Sequence, residues 1–224
     1  MKISMILPVY NESKTIDAIL QQLDVLPGHW EILFADGGSS DDTIQKIGAR
    51  YRVLNSPKGR ASQMNHGAAN ASAEVLWFVH CDSLLPKDAH SQISAAIEKG
   101  AQWGCFHIGF DYAGPFMGCN TYFSNRRAGK GIAFGDQGIW IRKDLFEEMG
   151  GFPDLPIMED YEFSLRMQQA KLPICQLPGT IITSGRRYEK RFPLITMWQM
   201  FHLRHLYRKG VEIQEIARRY RDIR

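Results

Sequence analysis

Short apolar runs alternate with stretches in which apolar residues recur every three or four positions. Over residues 1–85 this alternation predicts strands and helices in turn. Ile3 to Val9 reads as a first strand, and Ile16, Ile19, Leu20, Leu23 and Leu26 follow at helical spacing. Ser13 is placed to cap that helix and Pro27-Gly28 to end it. Trp30 to Ala35 is a second strand, closed by a turn at Asp36-Gly37-Gly38, with Ser40 or Asp41 capping the next helix. Tyr51 to Leu54 is a third strand, and the Ala-rich stretch Gly59 to Ala73 a helix. Val75 to Val79 is five consecutive apolar residues, the pattern of a strand buried on both faces inside a parallel sheet.

The second half is less regular. Ala89 to Ile97 reads as a helix, Ala101 to Tyr112 as a strand at the sheet edge, and Phe116 to Ala128 as a helix. A Gly-rich loop, Gly129 to Gly138, leads into a strand at Ile139 to Ile141. A short helix at Asp144 to Met149 ends in Gly150-Gly151. Another starts at Glu159-Asp160 and runs to about Ala170. Two carboxylates in a first helical turn also suit the helix dipole.

Repeated strand–helix units predict an α/β fold with a mostly parallel central sheet, flanked by helices and followed by a helical tail. Residues 1–191 form the expected α/β domain and 192–224 the tail. The early strands end in polar clusters, Tyr10-Asn11-Glu12, Asp36-Gly37-Gly38 and His80-Cys81-Asp82. Parallel neighbours bring such ends to one edge, where open α/β sheets take their ligands.

Charge adds one feature. From Arg186 to the end there are 11 Lys or Arg against 4 Asp or Glu, whereas the preceding 185 residues carry 16 against 20. A basic tail on a mildly acidic body expects an anionic partner, a membrane surface or a phosphate group. The tail mixes Trp198, Phe201 and other apolar residues with Arg and His. It reads either as an interfacial helix pair or as a segment packed on the body or on a second subunit of a homodimer. Four dispersed cysteines suit a reducing cytoplasm, and no apolar run approaches the roughly 18 residues of a bilayer span. The expected location is cytoplasmic, with peripheral attachment at the inner membrane face as the variant. No nucleic-acid partner is expected.

Five segments in order carry a resemblance: ILPVYNES, ADGGSSDDT, GRASQMNHGAANASAEVLWFVHCDS, FGDQGIWIRKDLFEEMGGF and PIMEDYEFSLRM. Together they resemble the family 2 glycosyltransferases of the GT-A fold. The resemblance implies that Pro8, Tyr10 and Glu12 embrace a nucleoside and that Asp36 accepts a hydrogen bond from its base. It places Arg60 and Asn65 near the nucleotide, and Asp82 at the last position of the metal-binding D-x-D motif. Asp160 matches the general base, with Glu159 beside it. His80 stands where the motif has its first Asp, and a bacterial subgroup with His-x-Asp is similar. His80 is then either a metal ligand beside Asp82, a phosphate partner, or a strand-end histidine.

The implied chemistry is inverting transfer from a nucleotide-diphosphate sugar, UDP favoured and GDP next, to a saccharide, lipid-linked or small-molecule hydroxyl. A divalent cation, Mn²⁺ or Mg²⁺, is the expected cofactor, because diphosphate leaving charge must be neutralised. Asp136 and Gln137 in the Gly-rich loop, and Arg186 and Arg187 in the cationic run between the last strand and the tail, are candidates to meet the diphosphate or the acceptor. Two rivals are a sugar nucleotidyltransferase and a catalytically silent nucleotide-binding module of the same fold. The first expects a cationic Gly-rich loop where Pro8 to Glu12 stands.

Overall fold

The structure, a computed structural model, describes residues 1–185, Tyr188 and 192–221. Arg186 and Arg187 lie outside the described residues. Seven strands form one sheet: β1 (Ile3–Val9), β2 (Trp30–Asp36), β3 (Arg52–Asn55), β4 (Val75–Phe78), β5 (Trp103–Phe110), β6 (Trp140–Arg142) and β7 (Cys175–Thr183). Their order is β3-β2-β1-β4-β6-β5-β7. β1 to β4 pair in parallel, with Ile3 opposite both Trp30 and Val75. β6 runs antiparallel to β4 and β5, and β7 is parallel to β5. The stretch expected at the sheet edge therefore lies one strand in, because β7 covers it.

Helices α1 (Ile16–Val25), α2 (Thr43–Ile47) and α4 (Ala89–Glu98) occupy one face. Helices α3 (Arg60–Asn70), α5 (Met117–Ala128), α6 (Lys143–Glu148) and α7 (Glu159–Gln169) contribute to the other. β4 explains why both layers are needed. Val75, Trp77 and Val79 point to the first face, Leu76 and Phe78 to the second, and all five are buried. Period-two alternation on an all-apolar strand requires cover on both sides.

Two capping expectations are corrected. α1 begins after Thr15, while the Ser13 N–H goes to Asp41 Oδ2 at 3.1 Å. α2 has Asp42 at its N-cap, but the Asp41 carboxylate accepts the Thr43 N–H at 3.0 Å. Ser13 thus serves the neighbouring loop instead of its own helix.

The tail forms α8 (Pro193–Arg208) and α9 (Ile213–Arg221). Leu203 and Ile216 are buried against Ile132, Met158 and Tyr161, in a third apolar cluster over the loop before α7. Trp198 and Phe201 do not share in this packing. They are 63% and 62% exposed. Among the described residues no helix is long and apolar enough to cross a membrane.

Candidate active site

β1 lies between β2 and β4, so the three polar clusters share one edge. The chain leaves β1 for β2 on one side and reaches β4 on the other, which opens the crevice where such sheets bind ligands. Its first wall is a lattice of side chain to backbone hydrogen bonds. Asn11, at φ 54, donates its N–H to Ser39 Oγ at 2.9 Å and accepts the Ser40 N–H at 2.8 Å. The Glu12 N–H goes to Thr43 Oγ1 at 2.8 Å. Asp36, buried, accepts the N–H groups of Gly38 and Ser39 at 3.1 Å and the Ser39 hydroxyl at 2.6 Å. Its carboxylate shapes its own loop before it meets any ligand.

Gln63 of α3 was not singled out from sequence, yet it joins two strand ends. From a buried position its Nε2 donates to the carbonyls of Val9 and Ala35, both at 2.7 Å. Gly37 passes so close that a Cβ there would sit 3.1 Å from the Gln63 amide carbon. At the mouth, Tyr10 is 39% exposed, with Lys58 Nζ 4.1 Å from its ring centroid. Pro8 and Glu12 are partly buried beside it.

The end of β4 supplies His80 and Asp82, both partly buried. Between them the buried Cys81 thiol is pushed up by burial and then by the charges of Glu12 and Asp82.

The opposite wall comes from α7. Asp160 Oδ2 accepts the Gly135 N–H and Oδ1 the Tyr161 N–H, each at 2.7 Å. A Cβ on Gly135 would lie 3.0 Å from His80 Nε2 and 3.5 Å from Asp160 Oδ2. The missing side chain at 135 lets His80 from β4 and Asp160 from α7 approach one spot. Glu159, 2% exposed, lies 3.3 Å from Arg60 Nη1. Burial and then Asp160 raise the Glu159 pKa, opposed by Arg60. Burial works against the Arg60 charge, but Glu159, Tyr220, Asp160 and Asp136 outweigh it and hold the guanidinium firmly protonated. Arg60 thus links the two halves of the chain.

Two expected ligand contacts are spent internally. The Asn65 amide donates to the Phe152 carbonyl at 2.7 Å and accepts its N–H at 2.9 Å, which pins the loop leading to α7. Gln137, expected at the diphosphate or acceptor, is fully buried. Its Oε1 accepts from Arg127 Nη2 at 2.8 Å and from the Phe134 N–H at 3.3 Å, and its Nε2 donates to the Phe106 carbonyl at 3.4 Å. Asp136 is among the charges that act on Arg60 and Arg127.

Cations missed from sequence gather around Phe134. The Arg127 guanidinium lies 3.5 Å from its ring centroid and that of Arg204 5.6 Å. Burial pulls Arg127 down to about 10. Arg208 donates to the Tyr161 hydroxyl. Isolated arginines on helices have no local pattern to betray them; Arg127 arrives on α5, and Arg204 and Arg208 through the packing of α8 beside α7.

Among the described residues, no group of three or more His, Cys, Asp or Glu is placed to hold a metal ion. His80 and Asp82 offer one imidazole and one carboxylate. The Asp82 carboxylate fits an ion that takes its remaining oxygens from a diphosphate and water, as Mg²⁺ and Mn²⁺ do at phosphate sites, whereas the His80 imidazole favours softer ions.

A mostly parallel seven-stranded sheet between helices, with its crevice at the β1 and β4 ends, is the GT-A glycosyltransferase architecture. The glycosyl transferase family 2 model matches residues 4–150, and the chain belongs to that family. An uncharacterized glycosyltransferase of Mycobacterium tuberculosis is 30% identical over 182 residues, 71% of this chain and 67% of the relative. A dolichol-phosphate mannosyltransferase of Pyrococcus furiosus is 27% identical, over 68% of this chain and 45% of that protein. Among solved structures, mannosyltransferase PcManGT of Pyrobaculum calidifontis, in complex with GDP-Man and Mn²⁺, superposes with a TM-score of 0.63. It shows 16% identity over 99% of this chain and 69% of its own. S. aureus TarS 1–349 with UDP-GlcNAc gives 0.61 and 19%, over 83% of this chain and 56% of its own. The chain thus spans little more than half of TarS 1–349 and under half of the Pyrococcus enzyme.

Proposed function

We propose that the chain transfers a hexose from a nucleotide-diphosphate sugar, UDP-linked first and GDP-linked next, to an acceptor hydroxyl with inversion. The observation that carries this reading is the approach of Asp160 and His80 to one spot across Gly135. A base and a phosphate-end residue from opposite walls meet where a donor lying along the β1–β4 crevice would present its reacting carbon.

The roles follow from placement. Tyr10 offers an exposed ring and Asp36 a carboxylate in a loop already rigid, which suits a nucleoside that must be held without reorganisation. The two N–H groups on Asp160 fix its carboxylate, and each oxygen keeps a lone pair to accept the acceptor proton as the hydroxyl attacks. Burial and then the Asp160 charge push the Glu159 carboxyl up, and Arg60, 3.3 Å away, opposes that shift beside the reacting centre. His80 and Asp82 would hold the divalent cation, which when bound neutralises diphosphate charge. PcManGT in complex with GDP-Man and Mn²⁺ supports this cation.

Thermal shift with UDP, GDP, CMP and dTDP, each with and without Mn²⁺ or Mg²⁺, tests the donor. A ligand at about 100 times its Kd adds roughly 2.7 kcal/mol. A metal-dependent shift with UDP or GDP supports the reading. A metal-independent one removes the cation, and none at all favours the silent module.

A further inference from the structure

α8 is apolar on two faces. The inner stripe, Thr196, Leu203 and Leu206, packs toward the body. The outer stripe, Leu194, Ile195, Trp198 and Phe201, stands 41–63% exposed. A stripe of apolar residues along a helix normally packs on something, and here the outer one is bare. α5 continues the surface with Tyr122 and Phe123, 57% and 60% exposed. The two helices meet where Phe116 and Phe192, the residues just ahead of them, stack edge to face at 5.8 Å. Eight of the twelve large apolar side chains exposed among the described residues belong to this one surface. Ordinary scatter of surface apolar residues does not produce such a concentration.

Charge says what covers it. Residues 113–135 carry Arg126, Arg127 and Lys130 and no acid. Residues 192–211 carry Arg204, Arg208, Lys209, His202 and His205 and again no acid. An apolar aromatic surface whose own two segments carry cations and no acid matches the boundary of an anionic bilayer, where rings sit at headgroup depth and cations meet lipid phosphates. A second copy fits poorly, since a two-fold contact would set these cations against themselves.

We infer that the α5–α8 face docks this chain on an anionic lipid surface. Arg204 and Arg208 reach from α8 to Phe134 and Tyr161, next to Asp160, so docking sets the acceptor side of the crevice at the bilayer. An acceptor hydroxyl presented by the membrane follows from that, a consequence that rests on the proposed transfer reaction; the docking itself does not.

The test is co-sedimentation of the full chain with vesicles of phosphatidylglycerol and phosphatidylcholine, against phosphatidylcholine alone. The expected result is partition onto the anionic vesicles that weakens as salt rises. The double variant Trp198→Glu, Phe201→Glu should bind them about tenfold more weakly or worse, with an unchanged circular dichroism spectrum and melting temperature. Should that variant misfold, Tyr122→Ser with Phe123→Ser reads the same surface from α5. The inference is overturned by no partition onto anionic vesicles, by equal partition onto both kinds, or by variants that bind like the parent chain. Sedimentation velocity decides for a second copy if the parent self-associates, the variants do not, and vesicles capture neither. Vesicle binding without any nucleotide response would leave the docking standing and remove the transfer reaction.

Discussion

The two walls of the crevice are built in different ways. The wall from residues 1–82 is local and redundant. Loops that follow adjacent parallel strands lie side by side, and Asn11, Asp36, Asp41 and Gln63 stitch them with hydrogen bonds to backbone. The wall from residues 134–161 is held by contacts between segments far apart in the chain. Asp160 is fixed by two N–H groups, and Asn65 reaches across from α3 to pin Phe152. On the proposed reading the first wall holds the donor and the second carries the base. Losing one bond in a lattice costs part of its rigidity, whereas on that reading losing the Asp160 carboxylate costs the reaction.

The sharpest break in that contrast is Asp160→Asn. It should lower turnover by about 10²–10⁴-fold while nucleotide affinity, read by calorimetry, stays unchanged. The amide keeps one of the two backbone hydrogen bonds, so stability should fall by only about 1 kcal/mol. Asp82→Ala acts on the other wall. It should remove the extra nucleotide affinity that Mn²⁺ or Mg²⁺ provides and leave metal-free binding in place; binding that still responds to metal would end the Asp82 assignment.

Gln63→Leu tests whether the lattice is a lattice. The Val9 and Ala35 carbonyls each lose a buried donor, and denaturant unfolding should show a loss of about 1–3 kcal/mol. Nucleotide affinity should fall with it. A loss of stability alone would mean that the donor wall does not depend on this amide.

The smallest effect lies away from the crevice. Burial raises the Glu31 pKa, but hydrogen bonds from Ser4 and Ser72 and the charge of Lys2 outweigh it and hold it at about 2, below its ordinary 4.5. A depressed carboxyl adds stability that is complete above pH 4.5 and is lost as pH falls toward 2. Glu31→Gln should therefore cost about 1–2 kcal/mol at neutral pH and flatten that part of the acid limb in pH-dependent melts.

The first wall was legible for a physical reason. Each of its strands is a contiguous apolar run with its polar residues directly after it, so chain order and spatial order coincide. Parallel pairing then forces Tyr10, Asp36 and Asp82 to one edge. Much of the second half resisted. β7 contains Pro178 and Gly179, which blur a strand pattern; β6, expected at Ile139 to Ile141, lies at Trp140–Arg142, but no local pattern shows that it runs against its neighbours. Gln137 looks like a ligand residue in sequence because it sits in a Gly-rich loop, and Asn65 because the family resemblance places it near the nucleotide. Their hydrogen bonds to Arg127 and Phe152 depend on partners 10 and 87 positions away.

The sequence by itself determined the α/β class, the convergence of the strand-end clusters and the family motifs, because those follow from short-range periodicity and from the geometry of parallel strands. Tertiary structure alone decided that Gly135 lets His80 and Asp160 approach one spot, that Arg60 pairs with Glu159, and that α8 is buried on one side and bare on the other. Each of these is a meeting of segments far apart in the chain, and side-chain spacing along a sequence carries no information about which distant surface arrives to fill the space.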